Sequence, residues 1–367
     1  MSKVGILTYN FALNYGSLLQ CYALQQAIAD IGHDSYVVNL VENNDVAHTP
    51  LKRKLRSMLI SVASKVGCFR IIRERNLKVR KFREFAENNF NYTEKCTSVD
   101  DLYKLSREFD AFISGSDQVW NTRLQDFTEM FFLPVEKVKK IGYSISTGPI
   151  EERELRLYAD DIREFDSFSV REKRTSNIIK AIIGKEPVIT CDPVFLIDRA
   201  VWDKIADLSK CDISDPYLLV FLFGKNREYF DRKYEIVNRI AKEKNLKVYY
   251  LNHGYYKHSF RDNAICDAGI EDFIKLIRGA DAIITDSFHG TAFSIIYEKD
   301  FFTYVISKSR DKRKQEMLKR IGVESRCIEI DNSNCMLDFN EIDYHKAGSE
   351  LKNLKDKSIK YLVEALS

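Results

Sequence analysis

Short apolar, β-branched runs alternate along the chain with longer stretches of helical periodicity, and this alternation is typical of an α/β protein. The runs form two groups, separated by the polar stretch 204–216, which ends in Asp215-Pro216. We expect this stretch to be a hinge between two domains, because such a pair interrupts regular structure. The strands that the pattern predicts are Val4–Thr8, Ser35–Leu40, Ala111–Ser114, Lys140–Ser144, Phe168–Val170 and Val188–Thr190, then Tyr217–Phe223, Val248–Leu251, Ala282–Thr285 and Phe301–Val305.

The predicted architecture is two Rossmann-like α/β domains that face a cleft, over residues 1–210 and 211–367. The last stretch, 350–366, has apolar residues at helical spacing and is predicted to be a C-terminal helix of the second domain. Open parallel sheets bind ligands outside the carboxyl ends of their strands. Candidate chemistry is therefore expected where strands end and helices begin.

One segment, 51–85, departs from this pattern because it carries twelve Lys or Arg residues and only two acids, Glu74 and Glu84. Its apolar residues recur three or four positions apart, which predicts one or two basic amphipathic helices. One interpretation is a solvated helix docked by its apolar stripe. A second is a peripheral contact with anionic lipid headgroups or with a lipid-linked anionic acceptor.

Composition narrows the class of protein further. The net charge is +3, and segment 51–85 has no regular series of stacking aromatic residues among its basic ones, so nucleic acid is not an expected partner. We expect no membrane span and no secretion signal, since no apolar run is long enough and the N-terminus lacks a basic head. The eight cysteines include no Cys-x-x-Cys pair, so no metal site is expected. Their scatter fits a reducing, cytoplasmic location.

The first strand leads directly into a candidate anion site. Asn14, Gly16 and Ser17 stand between this strand and a helical run that ends before Gly32. A helix N-terminus exposes backbone N–H groups under a positive dipole, and Gly16 would let a ligand approach the backbone closely. Simple helix capping by Ser17 is the structural alternative. The spacing Gly-x-Gly-x-x-Gly is missing, so a dinucleotide site is not supported.

A second candidate site follows the strand Ala111–Ser114. Its carboxylate, Asp117, stands among residues suited to hydrogen bonding and ring contact, which would form the lip of a sugar site. A turn with Asp117 as a helix cap is the alternative. The proposed acceptor-binding residues of this lip are Ser116, Gln118, Trp120 and Asn121.

Two later strand ends add a cation and a histidine. Arg171 follows one strand and can bind a phosphate or carboxylate through two guanidinium nitrogens. The structural alternative is an ordinary surface ion pair between Arg171 and Glu172. His289 begins a helix just after the strand Ala282–Thr285, where an arriving phosphate would favour its protonated form. Beyond the next strand, a cationic loop can reach the same cleft or merely start a basic helix. Its cations are Lys308, Arg310 and Arg313.

Five motifs, in this order, resemble the polysaccharide pyruvyl transferase family over roughly residues 1–330. They are Asn14-Tyr-Gly-Ser-Leu-Leu-Gln, Ser114-Gly-Ser-Asp-Gln-Val-Trp-Asn, Ser169-Val-Arg-Glu, Asp192-Pro193 and Ser287-Phe-His-Gly. The resemblance implies a glycosyltransferase-B-like fold and a transferase that takes phosphoenolpyruvate as its donor substrate, with no further cofactor. The implied product is a pyruvate ketal on a sugar of a capsule, exopolysaccharide or other cell-surface glycan.

The resemblance also assigns roles to the candidate residues. His289 would be the acid or the phosphate-stabilising group, Asp117 would position or deprotonate an acceptor hydroxyl, and Arg171 would be the main anion clamp. The family's late motif has arginine where this chain has Ser287, so other cations must supply that charge. The remaining donor-binding residues would be Asn14, Gly16, Ser17, Ser287, Gly290, Lys308, Arg310 and Arg313.

Two other functions remain open at this point. One is a nucleotide-sugar glycosyltransferase built on the same two-domain plan. The other is a non-catalytic glycan-binding relative, which the Ser287 departure allows. The acceptor sugar, the position of the ketal and the oligomeric state are not encoded in any motif.

Overall fold

The computed structural model describes residues 1–10, 13–41, 69–223, 229–251, 263–306, 309, 312–332 and 337–367. Within these residues the first half of the chain forms a seven-stranded parallel sheet of order β3-β2-β1-β4-β5-β6-β7. The central strands are buried on both faces, as expected for a parallel sheet covered by helices. The strands are β1 Lys3–Leu7, β2 Asp34–Leu40, β3 Tyr92–Cys96, β4 Ala111–Ser114, β5 Lys139–Ile145, β6 Ser167–Val170 and β7 Val188–Ile189.

The helices of this half connect its strands. The described part of segment 51–85 lies in the second of them, and residues 51–68 lie outside the described residues. The helices are α1 Tyr15–Asp30, α2 Phe69–Asn89, α3 Val99–Ser106, α4 Glu152–Leu155, α5 Ala159–Arg163, α6 Lys173–Ile183 and α7 Arg199–Asp207.

The second half repeats the plan with a six-stranded parallel sheet of order β10-β9-β8-β11-β12-β13 within the described residues. Its strands are β8 Tyr217–Phe221, β9 Lys247–Leu251, β10 Ala264–Ile265, β11 Ala282–Thr285, β12 Asp300–Val305 and β13 Cys327–Glu329. Its helices are α8 Phe230–Glu243, α9 Ile270–Gly279, α10 Phe288–Ile296, α11 Arg313–Arg320 and α12 Tyr344–Leu366. None of the described helices is long and apolar enough to cross a membrane.

Helix α1 joins the two sheets, because it is buried on nearly every side. Its first residue, Tyr15, stacks on Phe273 of α9 at 4.5 Å between ring centroids. The Tyr15 hydroxyl also donates a hydrogen bond to the Ala268 carbonyl at 2.9 Å. One hydrophobic core therefore runs from the first sheet through α1 into the second half.

The C-terminal helix is longer than predicted and belongs to both halves. The Tyr344 hydroxyl at its start donates to the Lys299 carbonyl of the second half. Near its end, the Tyr361 hydroxyl donates to the Gly142 carbonyl of β5 at 2.8 Å, and Ser358 Oγ accepts from the Cys191 N–H at 2.9 Å. The helix thus crosses back onto the first sheet, which the sequence-based assignment of 211–367 to one domain did not anticipate.

Candidate functional site

In both sheets the strand order reverses at one point, between β1 and β4 and between β8 and β11. Rossmann-like sheets bind ligands at this switch point, outside the carboxyl ends of the strands. The loop after β4 carries Asp117, and the loop after β11 carries Ser287 and leads into α10, whose first turn contains His289. The N-terminus of α1 follows β1 and lies against the His289 ring.

Asp117 occupies a left-handed backbone conformation, with φ of 67°, where an aspartate is better tolerated than most residues. Its Oδ1 lies 2.8 Å from Nη2 of Arg171 and 3.2 Å from Nη1 of Arg313. Burial acts to raise the pKa of Asp117, but interactions with Arg171, His289 and Arg313 hold the pKa below its ordinary value. The carboxylate is therefore kept ionised at the bottom of the cleft.

Arg171 follows β6 and is almost completely buried. Its guanidinium bridges two carboxylates, that of Asp117 through Nη2 and that of Asp192 through Nη1. The Phe288 ring covers it, with 4.3 Å between Cζ and the ring centroid. Burial acts to lower the pKa of Arg171, but the two carboxylates hold the pKa above its ordinary value. Both terminal nitrogens are already engaged, so Arg171 is not the free anion clamp that the sequence suggested.

Asp192, to which the sequence analysis gave no role beyond its place in a motif, joins this network. It caps a 3₁₀ turn by accepting from the Val194 N–H at 3.2 Å, as an Asp-Pro turn would. Its other oxygen meets Arg171 and lies 3.5 Å from Nε2 of His289. Burial acts against its charge, yet His289 and Arg171 lower the pKa of Asp192 to about 2. The sequence signal that could have identified Asp192 was its position just after a predicted strand.

His289 lies in the first turn of α10, between Asp192 and α1. A Cβ placed on Gly16 would come within 1.9 Å of Nδ1 of the His289 ring, so only glycine allows this close approach. The Nε2 atom of His289 is buried and has no hydrogen-bond partner among the described residues. The structure brings Gly16 and His289 into contact, and their roles in binding and catalysis stay predictions.

The predicted backbone cradles are already satisfied by helix caps. Asn14 Oδ1 accepts from the Gly16 N–H at 3.0 Å, and Ser287 Oγ accepts from the Gly290 N–H at 3.2 Å. Ser17 is buried in α1. A Cβ on Gly290 would meet Thr285 Oγ1 at 2.6 Å, so this glycine serves close packing. These residues shape the site, and the two glycine N–H groups are not free for an anion as predicted.

The predicted acceptor lip is closed in the structure. Ser116, Trp120 and Asn121 are buried, and the Trp120 indole N–H donates to the Phe131 carbonyl at 3.3 Å. The Trp120 ring packs in the core, so it has no face to offer a sugar and that prediction is wrong. Gln118 remains at the cleft, where its side-chain amide lies 2.9 Å from the Arg313 guanidinium and accepts from it when the amide oxygen is oriented towards Arg313.

Open space lies instead beside Arg313, at the carboxyl edge of the second sheet. A cavity of about 230 Å³ is lined by Lys233, Arg313 and Lys314 together with Asp286. Lys233 Nζ lies 2.8 Å from Asp286 Oδ2, and Lys314 Nζ donates to the Asp286 carbonyl at 2.7 Å. Three cations around one carboxylate make this cavity attractive to an anion. The sequence had placed the charge on Lys308 and Arg310 as well, which lie outside the described residues.

Comparisons with known proteins address the family and the fold. The model of a family described as polysaccharide pyruvyl transferase matches residues 14–307. No curated protein sequence is a significant match. Similar solved structures include UDP-GlcNAc 2-epimerase from Methanocaldococcus jannaschii in complex with UDP-GlcNAc and UDP, with a TM-score of 0.52 and 11% identity over 99% of this chain and 98% of that one. UDP-N-acetylglucosamine 2-epimerase from Rickettsia bellii has a TM-score of 0.50 and 10% identity over 99% and 96%.

At such low identities the likeness concerns the fold alone. It supports the predicted glycosyltransferase-B-like class, in which two Rossmann-like domains face a cleft. The family match covers the strand-end loops that carry Asn14, Asp117, Arg171 and His289.

Replacing Gly16 with alanine tests the packing of α1 on the histidine. We expect Gly16→Ala to destabilise the protein by about 1–3 kcal/mol, because the added methyl overlaps the His289 ring. The control is Gly348→Ala in α12, where an added Cβ meets nothing within 4 Å and should stabilise the helix by up to about 1 kcal/mol. Urea unfolding measures both, and equal stability of the two variants would contradict the contact.

Replacing Asp192 with asparagine tests the buried charge network. We expect Asp192→Asn to cost roughly 3–5 kcal/mol at neutral pH, since it leaves Arg171 short of one carboxylate. Folding lowers the pKa of Asp192 from 3.8 to about 2. The stability that the Asp192 carboxylate contributes is therefore complete above pH 3.8 and is lost as the pH falls from 3.8 towards about 2.

The difference between wild type and Asp192→Asn should therefore shrink when urea unfolding is repeated at decreasing pH below about 4. Asp160→Asn is the surface control, because the Asp160 side chain is 98% exposed, and it should change stability little at any pH. A difference that stays constant with pH would show that Asp192 is not the titrating partner.

Proposed function

The chain belongs to the polysaccharide pyruvyl transferase family, and on this premise we propose that it transfers a pyruvyl group from phosphoenolpyruvate to a sugar of a cell-surface glycan. The product would be a cyclic ketal on a capsule or exopolysaccharide unit, and inorganic phosphate would be released. The proposed setting is the cytoplasm, with the acceptor lipid-linked at the inner face of the membrane. We propose no redox cofactor, because the reaction involves no net oxidation.

The proposed reaction sets clear demands on the site. The methylene carbon of phosphoenolpyruvate gains a proton, and one sugar hydroxyl bonds to the neighbouring carbon. A second hydroxyl of the same sugar then replaces the phosphate at that carbon. The two hydroxyls lose two protons, of which one balances the proton gained by the methylene group and the other leaves with the phosphate. The site must therefore hold a trianionic donor, supply an acid and accept a proton.

The cavity lined by Lys233, Arg313 and Lys314 is the observation that carries this proposal. Phosphoenolpyruvate has a phosphate and a carboxylate, which together need several cations or oriented N–H donors. The cavity lies directly beside the loops of Asp117 and His289, since Phe288 lines it and also covers Arg171. These cations would replace the arginine that the family's motif has at position 287.

In the proposed mechanism Arg313 exchanges partners. It lies 3.2 Å from Asp117 in the structure, and a donor anion in the cavity would compete with Asp117 for the guanidinium. Loss of this cation would raise the pKa of Asp117 towards its ordinary value and make it a better base for an acceptor hydroxyl. Donor binding would in this way prepare the site for the acceptor.

His289 is the proposed proton source for the methylene carbon. Its Nε2 has no hydrogen-bond partner among the described residues, and Asp192 at 3.5 Å would orient the ring. Arg171 stays between its two carboxylates in this mechanism, so it positions Asp117 and Asp192 and does not bind the donor directly.

Thermal unfolding with phosphoenolpyruvate tests the donor. A ligand that binds only the folded protein, at about 100 times its dissociation constant, adds roughly 2.7 kcal/mol and raises Tm by several degrees. We expect phosphoenolpyruvate to do this with the wild type, and Arg313→Gln to require at least about tenfold more of it, the equivalent of losing one charge-assisted contact.

Lys319→Gln is the matched control, because Lys319 is an exposed cation on the same helix, α11, and does not line the cavity. Uridine and guanosine diphosphates, added in place of phosphoenolpyruvate, test the alternative function of a nucleotide-sugar glycosyltransferase. Stabilisation by a nucleotide and not by phosphoenolpyruvate would reject the pyruvyl donor in favour of a glycosyltransferase.

A further inference from the structure

A second, larger cavity lies in the first domain, between α1 and α2 at the carboxyl ends of β1 and β2. Its volume is about 700 Å³, within the range of ligand sites, and we call it the α1–α2 cavity. We call the apolar residues of its lining the floor and the polar residues the rim. The floor consists of Leu13, Leu18, Leu40, Val41, Val79, Phe82 and Ala86, and the rim consists of Asn10, Asn39, Arg83, Glu87, Tyr92 and Lys95.

We infer that the α1–α2 cavity binds a sugar unit of the acceptor that carries an acidic group. This inference rests on the proposed function and adds to it the place and the charge of the acceptor. The lip predicted from the sequence cannot serve, because Ser116, Trp120 and Asn121 are buried. The acceptor must therefore approach the loop of Asp117 from another side.

The cavity is next to that loop in the fold. Strands β1 and β4 are neighbours, with Leu7 opposite Ser114, so Asn10 and Asp117 stand three residues beyond a paired position on adjacent strands. The two loops are joined directly, since Thr8 Oγ1 donates to the Ser116 carbonyl at 3.1 Å. Asn10, which lines the cavity, is thus two residues from this hydrogen bond, and Asp117 is one residue from it on the other side.

Helix α1 gives a second connection. Leu18 lines the cavity, while Gly16, half a turn earlier in the same helix, touches the His289 ring. Gln20 of this helix donates to Thr8 Oγ1 at 2.8 Å and accepts from the Ser116 N–H at 3.2 Å. A ligand in the cavity therefore lies against the elements that place both proposed catalytic residues.

The rim has the chemistry of a sugar site. The amide of Asn39 and the carboxylate of Glu87 are groups that bind sugar hydroxyls, and the half-buried ring of Tyr92 offers a partly apolar face. The Asn10 amide is buried and donates to the Val38 carbonyl at 2.9 Å, so it shapes the lining. A ligand with hydroxyl groups and a hydrocarbon ring satisfies both this rim and the apolar floor.

The acidic group of the ligand is inferred from two exposed cations. Arg83 and Lys95 are both exposed at the rim, and no carboxylate among the described residues forms an ion pair with either of them. By contrast, two neighbouring cations of α2 are paired, Arg80 with Glu84 and Lys81 with Asp272. A carboxylate or a phosphate on the sugar would complete the two unpaired charges.

Saturation-transfer NMR on the full chain tests the inference, with phosphoenolpyruvate present to occupy the donor cavity. The probes are methyl glucuronide, glucose 6-phosphate and methyl glucoside at millimolar concentration. We expect the two acidic sugars to give signals with the wild type and the neutral glucoside to give at most a weak one. The stronger acidic probe tells a carboxylate from a phosphate.

Two variants locate the binding. Ala86→Trp fills the floor and should abolish the signals, while Asn88→Trp, on the same helix but outside the lining, should keep them. The exposed double variant Arg83→Gln/Lys95→Gln needs no repacking and should weaken acidic-sugar binding at least about tenfold, the loss of a charge-assisted contact. Equal signals from Ala86→Trp and wild type, equal binding of the neutral glucoside, or no binding of any probe to the wild type would each overturn the inference.

Thermal unfolding of the same samples separates this result from the proposed function. Ala86→Trp should still be stabilised by phosphoenolpyruvate, because the donor cavity lies in the other domain. If the wild type binds acidic sugars and phosphoenolpyruvate fails to stabilise it, the pyruvyl donor is wrong and the sugar site remains.

Discussion

The buried guanidinium of Arg171 is the constraint on which the site depends. A cation with almost no exposure is stable only when carboxylates compensate it, and here Asp117 and Asp192 do so from two different strand ends. The ends of β4, β6 and β7 are thereby tied at one point. Because Asp192 also faces His289 and Phe288 covers the guanidinium, the same cation holds the first domain to the second.

The charges of the cleft are divided between a closed and an open part. The closed part is the network of Arg171, where each charge already has a partner. The open part is the cavity beside it, where Lys233, Arg313 and Lys314 surround a single carboxylate, Asp286. Arg313 belongs to both, since it lines the cavity and reaches Asp117. This sharing is why a donor anion and an acceptor base are coupled in the proposed mechanism.

The fold and the location of the site could be predicted from the sequence because buried parallel strands are apolar runs and ligands lie at their carboxyl ends. Strands β3, β10 and β13 were missed, because a half-exposed edge strand such as Tyr92–Cys96 is largely polar, and Ala264–Ile265 and Cys327–Glu329 are very short. The burial of Trp120 could not be predicted either, because an indole that follows a strand can pack in a hydrophobic core as well as line a sugar site. Lys233 is a third case, because nothing in the sequence pattern of α8 distinguishes the buried Lys233 from the exposed Lys242.

The central claim is that the bound donor contacts Arg313, while Arg171 keeps its ion pairs with Asp117 and Asp192. A crystal structure of the chain with phosphoenolpyruvate bound tests it most directly. The account predicts that Arg313 and Lys314 contact the phosphate or carboxylate of the donor, that Arg313 has left Asp117, and that Arg171 still bridges Asp117 and Asp192. A structure in which Arg171 turns onto the donor while Arg313 keeps its contact with Asp117 would contradict it.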